Sequence, residues 1–235
     1  MTARALVAES LGTAMLLLAV VGSGIVVGGH PEPSDALFQH AVVVGVVLVA
    51  AVLTFAHVSG AHLNPAVTLA DVLLGGTPVR TGVGYAGAQL LGAGAGTVLA
   101  HAMFGLPLVT LATTDRSGAP GVLSEVVATF VLLLVIHGIV RSGAGTGAVA
   151  AGVGAWITGA IVATSSDAFA NPAVTLARTL TDTWTGMAPG GVAGFLAGQL
   201  LAAVAAAGVV RWLFATPAES EAGVTATVPV EESTT

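Results

Sequence analysis

The heptapeptide Asn-Pro-Ala-Val-Thr-Leu-Ala stands twice in this chain, at 64–70 and again at 171–177, 107 residues later. Asn is a strong helix N-cap, and Pro suits the first helical position because its missing N–H would be unpaired there anyway. Each copy therefore predicts the start of a short helix. The apolar pieces that follow, 64–74 and 171–180, are too short to cross a bilayer, which takes about 20 residues of helix. Chains that must bury a helix start among lipid-spanning elements have few folds open to them.

That such elements exist follows from composition. Hydrophobic residues make up 55% of the 235 positions and charged residues 8%, and the mean hydropathy is +0.95. A soluble domain needs far more surface charge, so the chain is expected to be a multi-pass membrane protein. Apolar stretches place spans near 5–28, 37–57, 81–104, 121–140, 147–165 and 189–214. The first could pass for a signal peptide flanked by Arg4, but its length and Glu9 argue for a retained span. The last twenty residues, "TPAESEAGVTATVPVEESTT", are acidic and without period, with Glu219, Glu221, Glu231 and Glu232 among them. They read as a disordered cytoplasmic tail, 216–235.

The repetition reaches beyond the heptapeptide. Glu9 lies early in the first span and Glu125 early in the fourth; "QLLGAGAG" starts at Gln89 and "QLLAAVAA" at Gln199. Gly84, Ala88, Gly92 and Gly96 form a small-residue stripe that Gly194, Gly198, Ala202 and Ala206 repeat 110 positions on. Such stripes let helices approach closely where lipid gives no hydrophobic drive. Two units result, 1–110 and 111–215, each of three spans plus one short helix. Three is odd, so the second unit enters from the opposite side, and the functional site is expected at mid-depth between the halves.

In that arrangement Asn64-Pro65-Ala66 and Asn171-Pro172-Ala173 bring two helix N-termini head to head. The backbone before them, "HVSGAH" and "SSDAFA", is tolerable at that depth only if it is buried in protein or lines a cavity. Two positive helix ends aimed at one point disfavour cations and suit the oxygen of a neutral solute. Each Asn can cap its own helix through its carbonyl and keep its NH₂ as a donor. Placing the N-terminus inside puts Arg4, Arg80, Arg141 and Arg211 on the cytoplasmic side and Arg116 and Arg178 outside, a modest positive-inside bias.

"SGAHLNPAVTLA" and the second Asn-Pro-Ala, with Glu9, Glu125, Gln89 and Gln199 in matching places, resemble the aquaporin and glycerol-facilitator family over residues 4–214. The resemblance implies an all-α membrane protein with six transmembrane helices, two re-entrant half-helices in inverted repeats, one pore per subunit, and a homotetramer in the bacterial inner membrane with both termini cytoplasmic. It implies buried structural roles for Glu9 and Glu125, holding the loops. Counting from the motifs, its selectivity constriction falls on Val44, Gly159, Ala168 and Val174. The position after the second motif, usually Arg in this family, is Val174, so the constriction is expected to be wide and uncharged. The region "FANPAVTLARTLTDTWTGMAP" is similar to a bacterial branch found with arsenic-resistance genes, which implies passage of arsenite, with methylated arsenicals, alongside glycerol-like molecules and water.

Other polar residues have competing readings. Arg178 keeps a positive charge in the outer vestibule, or pairs with Asp182 at i+4, or reaches solvent; its first-half counterpart is Asp71. Intramembrane acids are functional suspects by default, so Glu9 and Glu125 could instead carry protons in a coupled transporter. His57 and His62 are read as hydrogen-bonding supports, with His57 near the cytoplasmic mouth; His101 and His137 are read as helix-end or interface residues. Trp156, Trp184, Trp212 and Tyr85 are expected to include interfacial anchors. A pore-less scaffold acting through the acidic tail is the weakest alternative. Cysteine is absent, no His or acid cluster has metal-ligand spacing, and no nucleophile–base pair or phosphate loop stands out. No enzyme, metal, cofactor or nucleic-acid partner is expected; the partners are small neutral solutes and the lipid bilayer.

Overall fold

The computed structural model describes residues 2–215, so the expected acidic tail lies outside the described residues. Eight helices follow in order: α1 (Ala3–Val27), α2 (Pro33–Ser59), α3 (Pro65–Leu74), α4 (Val79–Met103), α5 (Ala119–Arg141), α6 (Thr146–Ala163), α7 (Pro172–Ala177) and α8 (Val192–Leu213). Six have the length of a membrane span and two do not, in the positions the repeats predict. The second short segment departs from the expected 171–180: the α-helix stops at Ala177, and Arg178–Leu180 tighten into a 3-10 turn. Five of the long helices are also apolar enough to cross a membrane by composition alone. The exception, α4, is as long as α1 but is diluted by glycines, Gln89 and His101. Gln89, Thr97 and His101 are buried against protein, so lipid never meets them.

Packing follows the duplication. Helix α1 lies against α2 and α4, and α5 lies against α6 and α8 in the same way. The short helices pack across the molecule, α3 on α8 and α7 on α4, while α2 meets α6 and α3 meets α7 on the axis relating the halves. Both glycine stripes sit at crossings. A Cβ on Gly92 or Gly96 would strike the carbonyls of Ser10 or Ala14 on α1, and one on Gly198 would come within 3.1 Å of the Val122 carbonyl on α5. At the central crossing, a Cβ on Gly45 would lie 2.8 Å from the Gly154 carbonyl, and one on Gly154 equally near that of Gly45. Van der Waals contact between backbones, not burial from water, holds these pairs.

The aromatic residues divide. Trp212 is largely exposed, as an interfacial anchor would be, whereas Tyr85 is buried and donates to the Ser59 carbonyl. Trp156 is half-buried and donates its indole N–H to the Ala128 carbonyl, which takes it out of the anchor class.

Candidate functional site: the central passage

The two short helices begin as their sequences require. Asn64 is the N-cap of α3 and its Oδ1 accepts from Ala66 N (2.8 Å); Asn171 caps α7 by accepting from Ala173 N (2.9 Å) and Val174 N (3.3 Å). The amide groups then cross over. Asn64 Nδ2 donates to the Ala170 carbonyl (2.7 Å), and Asn171 Nδ2 donates to the Leu63 carbonyl (2.9 Å). Each NH₂ has two hydrogens, so one clamps the opposite loop and one is left for whatever passes.

The loops ahead of these caps share an unusual backbone. Gly60, Ala61 and Leu63 have φ of 89°, 49° and 51°; Asp167, Ala168 and Ala170 have 68°, 41° and 47°. Left-handed residues other than Gly are costly, on the order of 1–3 kcal/mol each, and persist only when their surroundings dictate them. Here the buried acids do so. Glu9 accepts from His62 N (3.0 Å), Leu63 N (2.7 Å) and Ser59 Oγ (2.6 Å), and Glu125 from Phe169 N (2.9 Å) and Ala170 N (2.8 Å). Gln89 then bridges Glu9 to Thr68 (2.7 and 3.0 Å), as Gln199 bridges Glu125 to Thr175 (2.5 and 2.8 Å). Both acids and both glutamines are fully buried.

A cavity of about 520 Å³ runs between the halves and touches both Asn residues. At one end it is lined by His62, Asp71, His137 and Thr146, at the other by His40, Asp167 and Arg178. Between the two Asn residues and Arg178 its wall is apolar, with Val44, Ile157, Ile161, Ala168 and Val174. Three of the four expected constriction residues therefore line it: Val44, Ala168 and Val174. Gly159 does not. It is exposed, and a Cβ there would meet open space. Counting back from Asn171 assumes a fixed loop length; α6 ends at Ala163, and the helix turns Ile157 and Ile161 inward instead.

The vestibule assignments change as well. His57 is exposed and off the passage, whereas His62 and His137 line it. His62 Nδ1 lies 3.1 Å from Thr68 Oγ1, and its Nε2 lies 3.8 Å from Asp71 Oδ2. His137, read from sequence as a helix-end or interface residue, is one α5 turn from Leu133 and lines the passage. His101 does serve a helix end, with Nε2 2.7 Å from Thr181 Oγ1 and Nδ1 2.6 Å from the Pro107 carbonyl. Arg178 reaches neither Asp182 nor solvent. Its Nη2 donates to Asp167 Oδ2 (2.7 Å), its Nε to the Thr185 carbonyl, and its guanidinium lies 3.5 Å from the centre of the Phe169 ring. Asp182 instead accepts from Thr113 N at 2.8 Å. Nothing in the spacing of the sequence pointed to Asp167 as the partner, because it precedes the short helix and is brought back only by the left-handed turn.

Comparison with known proteins supplies the family. The family model "Major intrinsic protein" matches residues 1–149. Aquaglyceroporin AqpS of Rhizobium meliloti (strain 1021) is 44% identical over 211 residues, which is 89% of this chain and 90% of that protein. The chain belongs to the major intrinsic protein family. It is accordingly a multi-pass membrane channel and not an enzyme. Probable aquaporin TIP2-2 of Oryza sativa subsp. japonica is 38% identical over 57% of this chain and 56% of its own length. The fold matches the X-ray structure of the aquaglyceroporin from Plasmodium falciparum, with a TM-score of 0.76, 93% of this chain and 98% of that one covered, and 22% identity.

Proposed function

We propose that this channel carries small neutral polyhydroxy solutes passively, glycerol-like molecules and trivalent arsenic hydroxides among them, with water. One observation carries the reading. The wall beyond the paired asparagines is built from Val44, Ile157, Ile161, Ala168 and Val174, with valine where the family usually sets an arginine. An uncharged wall of this kind suits a solute bulkier than water. Arsenous acid is an uncharged triol at neutral pH, and methylated arsenicals of similar size fall in the same class. The similarity to a protein named aquaglyceroporin supports the polyol part.

The proposed assembly is a homotetramer in the bacterial cell membrane with both termini cytoplasmic. Arg141 and Arg211 bond near the Asp71 end, to the Phe214 and Leu73 carbonyls, while Arg116 and Arg178 cluster at the other. That split supports the orientation suggested by the four-to-two count of arginines, in which Asp71 faces the cytoplasm. The test is flux into liposomes holding the purified protein, with water, glycerol, urea and arsenite as solutes. Glycerol and arsenite are expected to follow their own gradients and to ignore an imposed pH gradient. Dependence on that gradient would replace the channel by a coupled transporter using Glu9 and Glu125.

A further inference from the structure

Of the three left-handed positions the loops share, one exchanges an apolar residue for another, Leu63 for Ala170, and one differs in chemistry. Gly60 fills it in the first loop at φ 89° and Asp167 in the second at φ 68°. Glycine is the inexpensive occupant of such a backbone, so the first loop shows that the turn itself needs no side chain. Asp tolerates the left-handed region better than most residues but still at some cost. What the second loop gains is a carboxylate on the wall of the passage.

That carboxylate is buried and half spent. The Asp167 side chain is 7% exposed and the Arg178 side chain 2%, and both line the passage. Oδ2 accepts from Arg178 Nη2 at 2.7 Å and has Arg116 Nη1 at 3.9 Å, whereas Oδ1 has no hydrogen-bond partner among the described residues. Buried acceptors are nearly always satisfied, and an unsatisfied one calls for a donor from outside the chain. Across the lumen, His40 is held by the 2.8 Å contact of its Nδ1 with Ser23 Oγ. The neighbouring wall of Val20, Val44, Ile161, Ala168 and Val174 offers no side-chain hydrogen bond.

We propose that Asp167 and Arg178 form a recognition station for neutral solutes carrying two adjacent hydroxyl groups. One hydroxyl donates to the Asp167 carboxylate while the oxygen of its neighbour accepts from the Arg178 guanidinium, which has five N–H groups and spends two on Thr185 and Asp167. Asp167 offsets one of the two guanidinium groups beside it, those of Arg178 and Arg116, so the station offers donors and an acceptor to a dipolar solute while its residual positive charge turns cations away. It replaces hydration lost on entering the apolar stretch, and charge-assisted hydrogen bonds are the strong kind. This inference rests on the channel reading and adds the solute feature that is recognised.

The test uses two isomers of equal size, 1,2-propanediol and 1,3-propanediol, with the full-length protein in liposomes and protein-free liposomes as background. The native channel is expected to pass the adjacent diol about five-fold faster, the scale of one modest hydrogen-bond difference. In Asp167→Gly, which copies the first loop, and in Asp167→Asn, the ratio should fall to about one. Because the isomers match in volume, a lumen merely narrowed or widened by the substitution leaves their ratio where it was. A native ratio of one, or a preference that survives Asp167→Gly, overturns the station while leaving the channel standing. Liposomes with native protein that pass no solute faster than empty ones overturn both.

Discussion

Leu63 and Ala170 each lend a carbonyl to the asparagine that follows the other: Asn171 Nδ2 reaches Leu63 and Asn64 Nδ2 reaches Ala170. The centre of the molecule is thus a reciprocal exchange between loops from opposite halves. Replacing Asn171 by Asp keeps the acceptor that caps α7 but turns the donor toward Leu63 into an oxygen, facing a carbonyl. Asn171→Asp should lower the midpoint of thermal unfolding in detergent and admit a cation leak, because it puts a negative charge where two helix N-termini had discouraged cations. Unchanged stability together with unchanged ion tightness in liposomes would refute the exchange as a structural bond.

The buried acids give a second expectation. Glu125 holds Phe169 N, Ala170 N and Gln199 Nε2 together. A glutamine there keeps one acceptor oxygen and points an NH₂ at groups that themselves donate. Loss of one such buried interaction costs roughly 1–3 kcal/mol. Glu125→Gln should reduce folded yield and every flux in proportion. A variant that folds normally yet loses only pH-driven uptake would mark the residue as a proton carrier.

Val174 tests the wall. An arginine at that position adds a long cationic side chain to an apolar stretch, so Val174→Arg should reduce glycerol flux at least ten-fold more than water flux, about 1.4 kcal/mol of added selectivity. Light-scattering measurements on proteoliposomes read both. Equal losses, or none, would mean that the narrowest point lies elsewhere.

The corrected register on α6 can be checked directly. Ile161 lines the passage and Gly159 faces open space. Ile161→Trp should block glycerol, whereas Gly159→Trp should leave glycerol flux within about two-fold of native, as an outward substitution away from special features usually does. The opposite pattern would restore the position counted from the motif.

Helix contact supplies a further pair. A side chain at Gly96 would meet backbone on α1, while one at Gly94 meets nothing. Gly96→Val should destabilise by about 1–3 kcal/mol or more, as forced overpacking does, and Gly94→Ala should not. Thermal unfolding by intrinsic fluorescence separates them.

Much of this was legible in the sequence because the chain states it twice. The caps, short helices, buried acids and small-residue crossings each appear at matched offsets, so Glu9, Glu125, Asn64 and Asn171 could be placed by comparing one half with the other. The missed features are those in which the halves differ. The length of the stretch between α6 and Asn171 moved the lining from Gly159 to Ile157 and Ile161, and repeat symmetry could not fix it. Asp167 replaces a glycine, and a pattern of apolar residues says nothing about a carboxylate delivered by a left-handed turn. Arg178 was seen as unusual, but its partner lies upstream of the short helix, outside any i+4 rule. His137 and His57 exchanged places because a helix's inward face depends on its rotation, and α2 and α5 are too uniformly apolar to reveal it.

The reciprocal clasp between asparagines and carbonyls makes assembly a joint event. Until the C-terminal segment has been inserted with reversed polarity, the N-terminal loop has no counterpart to close upon, and its amide is idle. Biogenesis should therefore contain a late, all-or-none locking stage, and a ribosome-stalled first half should stay susceptible to quality-control proteases however well its three spans have formed.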